Sequence, residues 1–273
     1  MPKNVEIGIF FIAKTAIDRH EVEKWMTHVG ADKFDPNFDE KTDAELLIEL
    51  AGRRCYMSFQ PGLNPNVTKI RADIVEYIDN ILKSGHGSVL EHATYTFAIE
   101  GVSRVFTGEM NRHRAGFAIS EGSMRYIRFE NIPWWMPPSM RVLPGDSEEL
   151  ANKKMRTQSV VTEAFKDAEH RYNQIQYIWK EELSETSKFH GKKQVTSMMR
   201  RIIPMGVATG GIWTGNIRAL RHVLTMRTTS AAEEEICYVF SNIMKRIKDM
   251  EPTLFGDFVQ DEFGFWSPKY VKV

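Results

Sequence analysis

The sequence has few features that would cross-link the chain or anchor it in a membrane. Only two cysteines, Cys55 and Cys237, occur among 273 residues, too few for a disulfide framework and without C-x-x-C spacing. This scarcity indicates a reducing compartment, and we expect both to be buried apolar residues. No stretch approaches the roughly 18 apolar residues that a membrane span requires, and the mean hydropathy is -0.36. We therefore expect a cytoplasmic protein with no membrane partner.

Net charge is also absent. The chain has 36 lysines and arginines and 36 aspartates and glutamates, so no overall field favours nucleic acid or an anionic membrane. Repeats, low-complexity tracts and Gly/Ser linkers are missing as well, which favours a single domain over residues 1–273. The apolar run Ile7–Ala13 has charged residues directly after it and no cleavage-site pattern, so it predicts an opening β-strand and not a signal peptide.

Apolar periodicity predicts mainly helices. Asp43 is a candidate cap for a helix reaching Cys55, and a second helix over Val67–Ser84 should end at Gly85. Alternation in residues 93–100 predicts a strand. Further helices are predicted over Val102–Arg112, Glu148–Glu185, Asn216–Arg227 and Ala231–Met250, with a short helix ending near Arg200, an extended stretch over Ile202–Gly215, a strand over Tyr126–Phe129 and a rigid apolar loop or lid over Pro133–Met140. The class this predicts is α+β, with helices packed on a partly antiparallel sheet.

The first of three clusters with chemical potential is GHGSVLEH, residues 85–92, between a helix end and a strand. Loops on rigid scaffolds often carry function. His86, Glu91 and His92 suggest zinc, but their H-x-x-x-x-E-H spacing matches neither H-E-x-x-H nor H-x-x-E-H, so we predict no metal. A purely structural role in capping the turn remains open.

The second cluster, RHRAGFAISEGSMRY over residues 112–126, gathers three guanidinium groups in a short span. Arginine is always charged and its planar fork matches phosphate oxygens. Arg112, Arg114 and Arg125 are therefore candidates for binding a phosphorylated ligand. A solvated basic face is the alternative.

The third cluster covers residues 200–227. Asn216 is placed to cap a helix, on which Arg218, Arg221 and His222 fall within about one turn of each other. One helical face should therefore be polar, either exposed or lining a cleft.

Taken in this order, the clusters resemble the flavin-dependent thymidylate synthases, whose signature is RHR-x-x-S-x-N-x-x-S-x-R. The resemblance covers roughly residues 44–236. The matching residues are Arg112-His113-Arg114 at the opening of the signature, Ser123-Met124-Arg125 at its close, Ser88 for the threonine of an H-x-T-x-x-E-H turn, and Asn216, Arg218 and Arg227 in N-x-R and L-x-x-R motifs.

The resemblance implies that FAD transfers a one-carbon unit from methylenetetrahydrofolate to C5 of a uracil nucleotide, with NADPH as reductant. It implies a homotetramer with sites shared between subunits, and neither cysteine stands at a nucleophile position. The implied flavin contacts are Ser88, Arg112, His113, Arg114, Glu121, Asn216, Arg218 and His222. The implied nucleotide contacts are Glu109, Arg112, Ser123, Arg125, Arg200 and Arg227.

Among these residues, Arg227 is the expected catalytic group. Attack from C5 requires electron density pushed out of the uracil ring, and a guanidinium beside N3 and O2 would stabilise the anionic form of the ring that supplies it. Arg125 and Arg200 are expected to hold phosphate.

The sequence departs from the family pattern in two places. One extra residue separates Arg114 from Ser123, with Ala118 and Ser120 nearest to the serine and asparagine of the signature. Glu109 stands where glutamine is usual, and a carboxylate could accept hydrogen bonds from two ribose hydroxyls. UMP is therefore an alternative to dUMP, which we favour by analogy.

A protein that binds RNA or flavin without catalysis is the third interpretation. Zero net charge counts against RNA binding, as does the lack of aromatic residues interleaved with arginines. We expect no nucleic-acid partner.

Overall fold

The computed structural model describes residues 3–273 and contains helices and strands in a mixed order. The helices are α1 (Arg19–His28), α2 (Asp43–Tyr56), α3 (Ile74–Ser84), α4 (Arg104–Met110), α5 (Glu148–Ile178), α6 (Phe189–Met199), α7 (Ile217–Arg227), α8 (Glu234–Met250) and α9 (Pro252–Phe255), and short 3₁₀ turns cover Gly87–Glu91, Pro138–Met140 and Arg200–Ile202. The strands are β1 (Lys3–Asn4), β2 (Gly8–Lys14), β3 (Thr94–Ser103), β4 (Phe117–Glu121), β5 (Pro133–Trp134), β6 (Ala208–Asn216), β7 (Phe258–Gln260) and β8 (Trp266–Pro268).

A four-stranded sheet has the order β2-β3-β6-β4. Two small sheets accompany it: β1 pairs in parallel with β5, and β7 pairs antiparallel with β8. Helices and sheets follow one another without a repeating βαβ pattern, so the predicted α+β class is confirmed. None of the helices in residues 3–273 is both long enough and apolar enough to cross a membrane.

The contacts divide the chain into two compact units. The first unit comprises the chain up to Phe10 and residues 98–112 and 119–212; the second comprises residues 11–97, 113–118 and 213–273. That residues 1–273 form one domain remains a prediction.

The core of the first unit forms around α5. Phe165 packs against Trp134, with ring centroids 5.2 Å apart, and Ile132 is buried in the same cluster. The predicted apolar loop over Pro133–Met140 is confirmed as non-helical apart from its final 3₁₀ turn. Trp134 and Trp135 are only 5% and 4% exposed, so these two side chains belong to the core, and the lid interpretation stays a prediction.

In the second unit, α2 begins with a capping box. The Glu45 amide donates to Thr42 Oγ1 at 3.1 Å and the Thr42 amide donates to Glu45 Oε2 at 2.9 Å. The cap is therefore Thr42, and the predicted cap Asp43 is the first helical residue. From this start α2 buries Leu46 and Leu50 against Phe59.

Three other predictions need correction. Helix α3 begins at Ile74 and not at Val67, because the Asp73 side chain accepts the Glu76 amide at 2.7 Å and caps the helix there. Residues 126–129 are not a strand, because Tyr126 ends a turn and residues 127–129 are irregular; the strand in this region is β4. Cys55 lies on the exposed face of α2 and Cys237 is only partly buried.

A buried charge cluster connects α2 to the irregular segment before α3. Glu49 accepts from Lys41 Nζ at 2.7 Å and from an Arg53 NH group at 2.6 Å, and the three side chains are at most 7% exposed. Arg53 also donates to the carbonyls of Ser58 and Arg71. Glu49 is therefore the counter-ion of two buried cations.

Glu49→Ala should lower the free energy of unfolding by about 3–5 kcal/mol, because two buried cations would lose their counter-ion. The matched control is Glu21→Ala, which breaks an exposed helical ion pair with Lys24 and should cost less than about 1 kcal/mol. Urea denaturation of both variants measures the difference. Equal losses would contradict the assigned role of Glu49.

Candidate functional site

Helix α7 carries the central residues of the candidate site in the second unit. The Asn216 side chain accepts the Ala219 amide at 2.8 Å and caps the helix, as predicted from the sequence. Leu220, Val223 and Leu224 form its buried stripe. The helix is thus fixed by its cap and its apolar face.

Arg221 does not share the predicted polar face. Its side chain is 1% exposed, and its two terminal nitrogens donate to the Asp257 carboxylate at 2.7 and 2.9 Å. Successive helical positions are about 100° apart, so Arg218 and His222 lie within about 40° of each other. Of the three polar residues, Arg218 and His222 are exposed and Arg221 is buried.

A cavity of about 430 Å³, called the α7 cavity below, lies beside this pair. Arg218 donates to Glu91 Oε1 at 2.6 Å, so its guanidinium is already oriented by a carboxylate. The cavity is lined by Glu91, Ala115, Gly116, Asn216, Arg218, Ala219, His222, Val271, Lys272 and Val273.

The turn of the first cluster packs closely on Arg218. Gly85 caps α3 with a φ of 69°, as predicted. A Cβ added at Gly87 would lie 2.7 Å from Arg218 Nε, so the guanidinium takes the space that any side chain would fill. Ser88 and His86 line a second cavity of about 360 Å³, which also borders Arg218.

Arg227 at the end of α7 is oriented by a histidine. Its Nε donates to His113 Nε2 at 2.8 Å, which requires an imidazole that is unprotonated at that nitrogen. The His113 ring lies 6.2 Å from that of His222. The sequence therefore predicted a set of residues that the fold brings together: His113, His222 and Arg227.

The first unit contains a separate cavity of about 520 Å³, called the α4 cavity below. An ion pair between Arg104 and Glu121 forms part of its wall, and Asn111 Nδ2 donates to Glu121 Oε2 at 2.9 Å. Arg200 and Arg201 line the same cavity. Three cations and one carboxylate therefore surround this space.

Other predicted residues lie outside both named cavities. Glu109 approaches Arg112 at 3.8 Å, and the Arg112 side chain is 74% exposed. Arg125 lies over the Tyr126 ring at 5.5 Å. The exposed Arg114 and the half-buried Ser123 also lie outside both cavities, as do Ser88, His113 and Arg227 described above.

Sequence reasoning missed Arg104, Asn111 and Arg201. A usable signal existed for the first two, because residues seven apart lie on the same face of a helix. The ion pair between Arg104 and Glu121, in contrast, could be recognised only from the fold. In residues 3–273 no group of three or more histidine, cysteine or acidic side chains is arranged to hold a metal ion.

Comparison with known proteins identifies the family. The model of the thymidylate synthase complementing proteins matches residues 38–253, and the chain belongs to this family. A flavin-dependent thymidylate synthase of Corynebacterium efficiens is 33% identical over 216 residues, covering 79% of this chain and 80% of that protein. One from Mycobacterium avium is 32% identical over 82% of this chain and 84% of its own length. The resemblance found in the sequence is thereby confirmed.

Solved structures agree on the fold. Crystal structures of the UMP/dUMP methylase PolB from Streptomyces cacaoi, bound with 5-Br UMP or 5-Br dUMP, give TM-scores of 0.61 and 0.62. Identity is 17% and 18%, with 93% and 94% of this chain and 94% and 96% of those chains covered. The fold is therefore retained at low sequence identity.

Gly116→Ala should destabilise the second unit and disturb the cap of α7. The residue has a φ of 74°, and an added Cβ would lie 2.7 Å from Ala219 Cβ and 2.8 Å from Asn216 Nδ2. Gly145→Ala is the control, because its φ is 99° but nothing lies within 4 Å of an added Cβ. We expect about 1 kcal/mol for the control and roughly 2 kcal/mol more for Gly116→Ala, measured by urea denaturation. Equal effects would show that the close approach to α7 carries no energetic consequence.

Proposed function

We propose that this protein methylates a uracil nucleotide at C5 in a flavin-dependent reaction, converting dUMP to dTMP. Methylenetetrahydrofolate is the one-carbon donor, NADPH is the reductant, and the assembly is a cytoplasmic homotetramer with sites shared between subunits. Family membership supports the reaction class. The observation that supports the proposal most directly is the hydrogen bond of 2.8 Å from Nε of Arg227, the last residue of α7, to His113 Nε2.

The second unit offers groups that fit FAD. Arg218 supplies a cation, Asn216 an amide and His222 an imidazole around the α7 cavity, and Gly87 leaves room for the guanidinium beside the turn that contains Ser88. Arginine suits phosphate oxygens and the polar side chains suit ring and ribityl atoms. When bound, FAD would relay reducing equivalents and the one-carbon unit. Further proposed flavin contacts are Arg112, His113, Arg114 and Glu121.

Arg227 is the proposed catalytic residue. C5 is a strong nucleophile only when the uracil ring is electron-rich, as in its N3-deprotonated anion, and a guanidinium beside N3 and O2 stabilises that anionic form. His113 Nε2 accepts a hydrogen bond from Arg227 Nε and so fixes the plane of the guanidinium. A group oriented before the reaction needs no reorganisation when the charge appears.

The α4 cavity is the proposed position of the nucleotide phosphate. Arg200 and Arg201 line it beside Arg104, and Glu121 orients Arg104 through their ion pair. Phosphate contacts that exist equally in the ground state affect KM more than kcat. Ser123 and Arg125 complete the proposed nucleotide contacts.

UMP is the alternative substrate because of Glu109. Its side chain is 30% exposed and approaches Arg112, which the family resemblance also implies as a nucleotide contact. Two ribose hydroxyls could donate to this carboxylate, whereas a deoxyribose offers one.

Arg227→Ala should retain bound flavin but lower kcat by about 100-fold or more, because charge stabilisation at the uracil is lost. Arg156→Ala, an exposed arginine on α5, is the control and should leave kcat unchanged. Flavin absorbance and anaerobic turnover of dUMP, with products identified by mass, give the two readouts. Two outcomes would contradict the assigned role: a variant that loses both its bound flavin and its turnover, or a variant that turns over as fast as the wild type.

Glu109→Gln should shift preference toward dUMP, since the amide cannot accept from both ribose hydroxyls as a carboxylate does. The measurement is the ratio of kcat/KM for dUMP and UMP in parallel assays of wild type and variant. An unchanged ratio would remove Glu109 from sugar recognition. Turnover of neither nucleotide by flavin-loaded wild-type protein would refute the proposed function itself.

A further inference from the structure

The C-terminal segment of the described chain forms one wall of the α7 cavity. Val271, Lys272 and Val273 line it together with residues of α7. The family match ends at residue 253, so this wall is built from residues that the family pattern does not include. The family pattern therefore gives no role for these three residues.

The segment is fixed by bonds immediately before it. The Tyr270 amide donates to the Asp257 carboxylate at 3.2 Å and the Lys269 amide donates to the Asp257 carbonyl at 3.0 Å. The Tyr270 hydroxyl donates to Asp79 at 2.6 Å. Backbone and side chain are thus both held, so the direction in which residues 271–273 leave Tyr270 is determined.

The same anchor belongs to the helix that forms the cavity. Asp257 receives two hydrogen bonds from Arg221, and Arg221 also donates to the Tyr270 carbonyl at 3.4 Å. Arg218 and His222 lie within one turn of Arg221. Arg221, on the buried side of α7, therefore holds the segment before residue 271 in place. Residues 271–273 then line the same cavity as Arg218 and His222, on the exposed side of the helix.

Lys272 gives this wall a charge. It is exposed, and no ion pair or hydrogen bond involves its ammonium group anywhere in residues 3–273. Arg218, the other cation of the lining, is already paired with Glu91. Lys272 is thus a lining cation whose charge no carboxylate offsets.

We propose that Lys272, positioned by the Arg221–Asp257–Tyr270 anchor, binds the phosphate groups of the flavin cofactor in the α7 cavity. The proposal rests on the proposed function, which requires a flavin. An ammonium is a strongly hydrated point charge that recognises phosphate oxygens without fixed geometry, which suits a residue at the end of an exposed segment. Riboflavin has no phosphate and should not sense this residue.

The test is titration of the full chain, freed of bound flavin, with FAD, FMN and riboflavin, following the quenching of flavin fluorescence. Lys272→Ala should raise the Kd for FAD about 5- to 10-fold and change that for riboflavin less than twofold. Lys272→Arg should bind FAD as wild type does, because the charge is kept. Lys269→Ala is the control, since Lys269 lies in the same segment but does not line the cavity.

The outcomes separate the two proposals. If wild-type protein binds FAD and Lys272→Ala binds it as well as Lys269→Ala does, Lys272 is not a flavin contact and the proposed function stands. Equal weakening of FAD and riboflavin would also refute the phosphate contact. If wild-type protein binds no flavin, the proposed function fails together with this inference.

Discussion

The ion pair between Arg221 and Asp257 connects three parts of the second unit that are far apart in sequence. Arg221 is contributed by α7, Asp257 follows α9, and the Asp257 carboxylate also accepts the amide of Tyr270. Both side chains are at most 8% exposed. A buried charge without its partner is costly in free energy, so these parts cannot move independently. The position of α7 and of every residue on it depends on this contact.

Aromatic rings complete the surroundings of Arg221. Its guanidinium lies 4.9 Å from the centroid of Phe258 and 5.9 Å from that of Phe255, while its Nε is buried without a hydrogen-bond partner in the described chain. The rings provide a favourable surface for a cation that has lost its water. The pair thus specifies one arrangement of helix and C-terminal segment and does not merely add stability.

Local patterns in the sequence predicted α7 correctly and the partner of Arg221 not at all. The cap at Asn216 and the apolar stripe are properties of neighbouring residues, which periodicity detects. Asp257 lies 36 residues from Arg221, and no local pattern encodes that contact. The predicted start of α3 was wrong for a local reason. Apolar side chains before Asp73 continue the helical period, although Asp73 is the N-cap at which the helix begins.

The candidate site shows the same division. Motif resemblance indicated His113, Asn216, Arg218, His222 and Arg227, because these residues stand within recognisable spacings. Arg201 and Lys272 carry no such spacing, and only the fold places them beside a cavity. The positive and negative charges of the whole chain are equal in number, but around the cavities they form local, oriented ion pairs. The net charge of the sequence therefore gave no indication of these cationic groups.

The side chain of Arg218 also belongs to two cavities at once. It lines both the α7 cavity and the cavity of His86 and Ser88, and it packs so closely on Gly87 that an added Cβ would lie 2.7 Å from its Nε. A change of the Arg218 rotamer that breaks the bond to Glu91 would therefore alter the shape of both spaces together. Two cavities of this unit thus share one adjustable element, the torsion angles of a single exposed side chain.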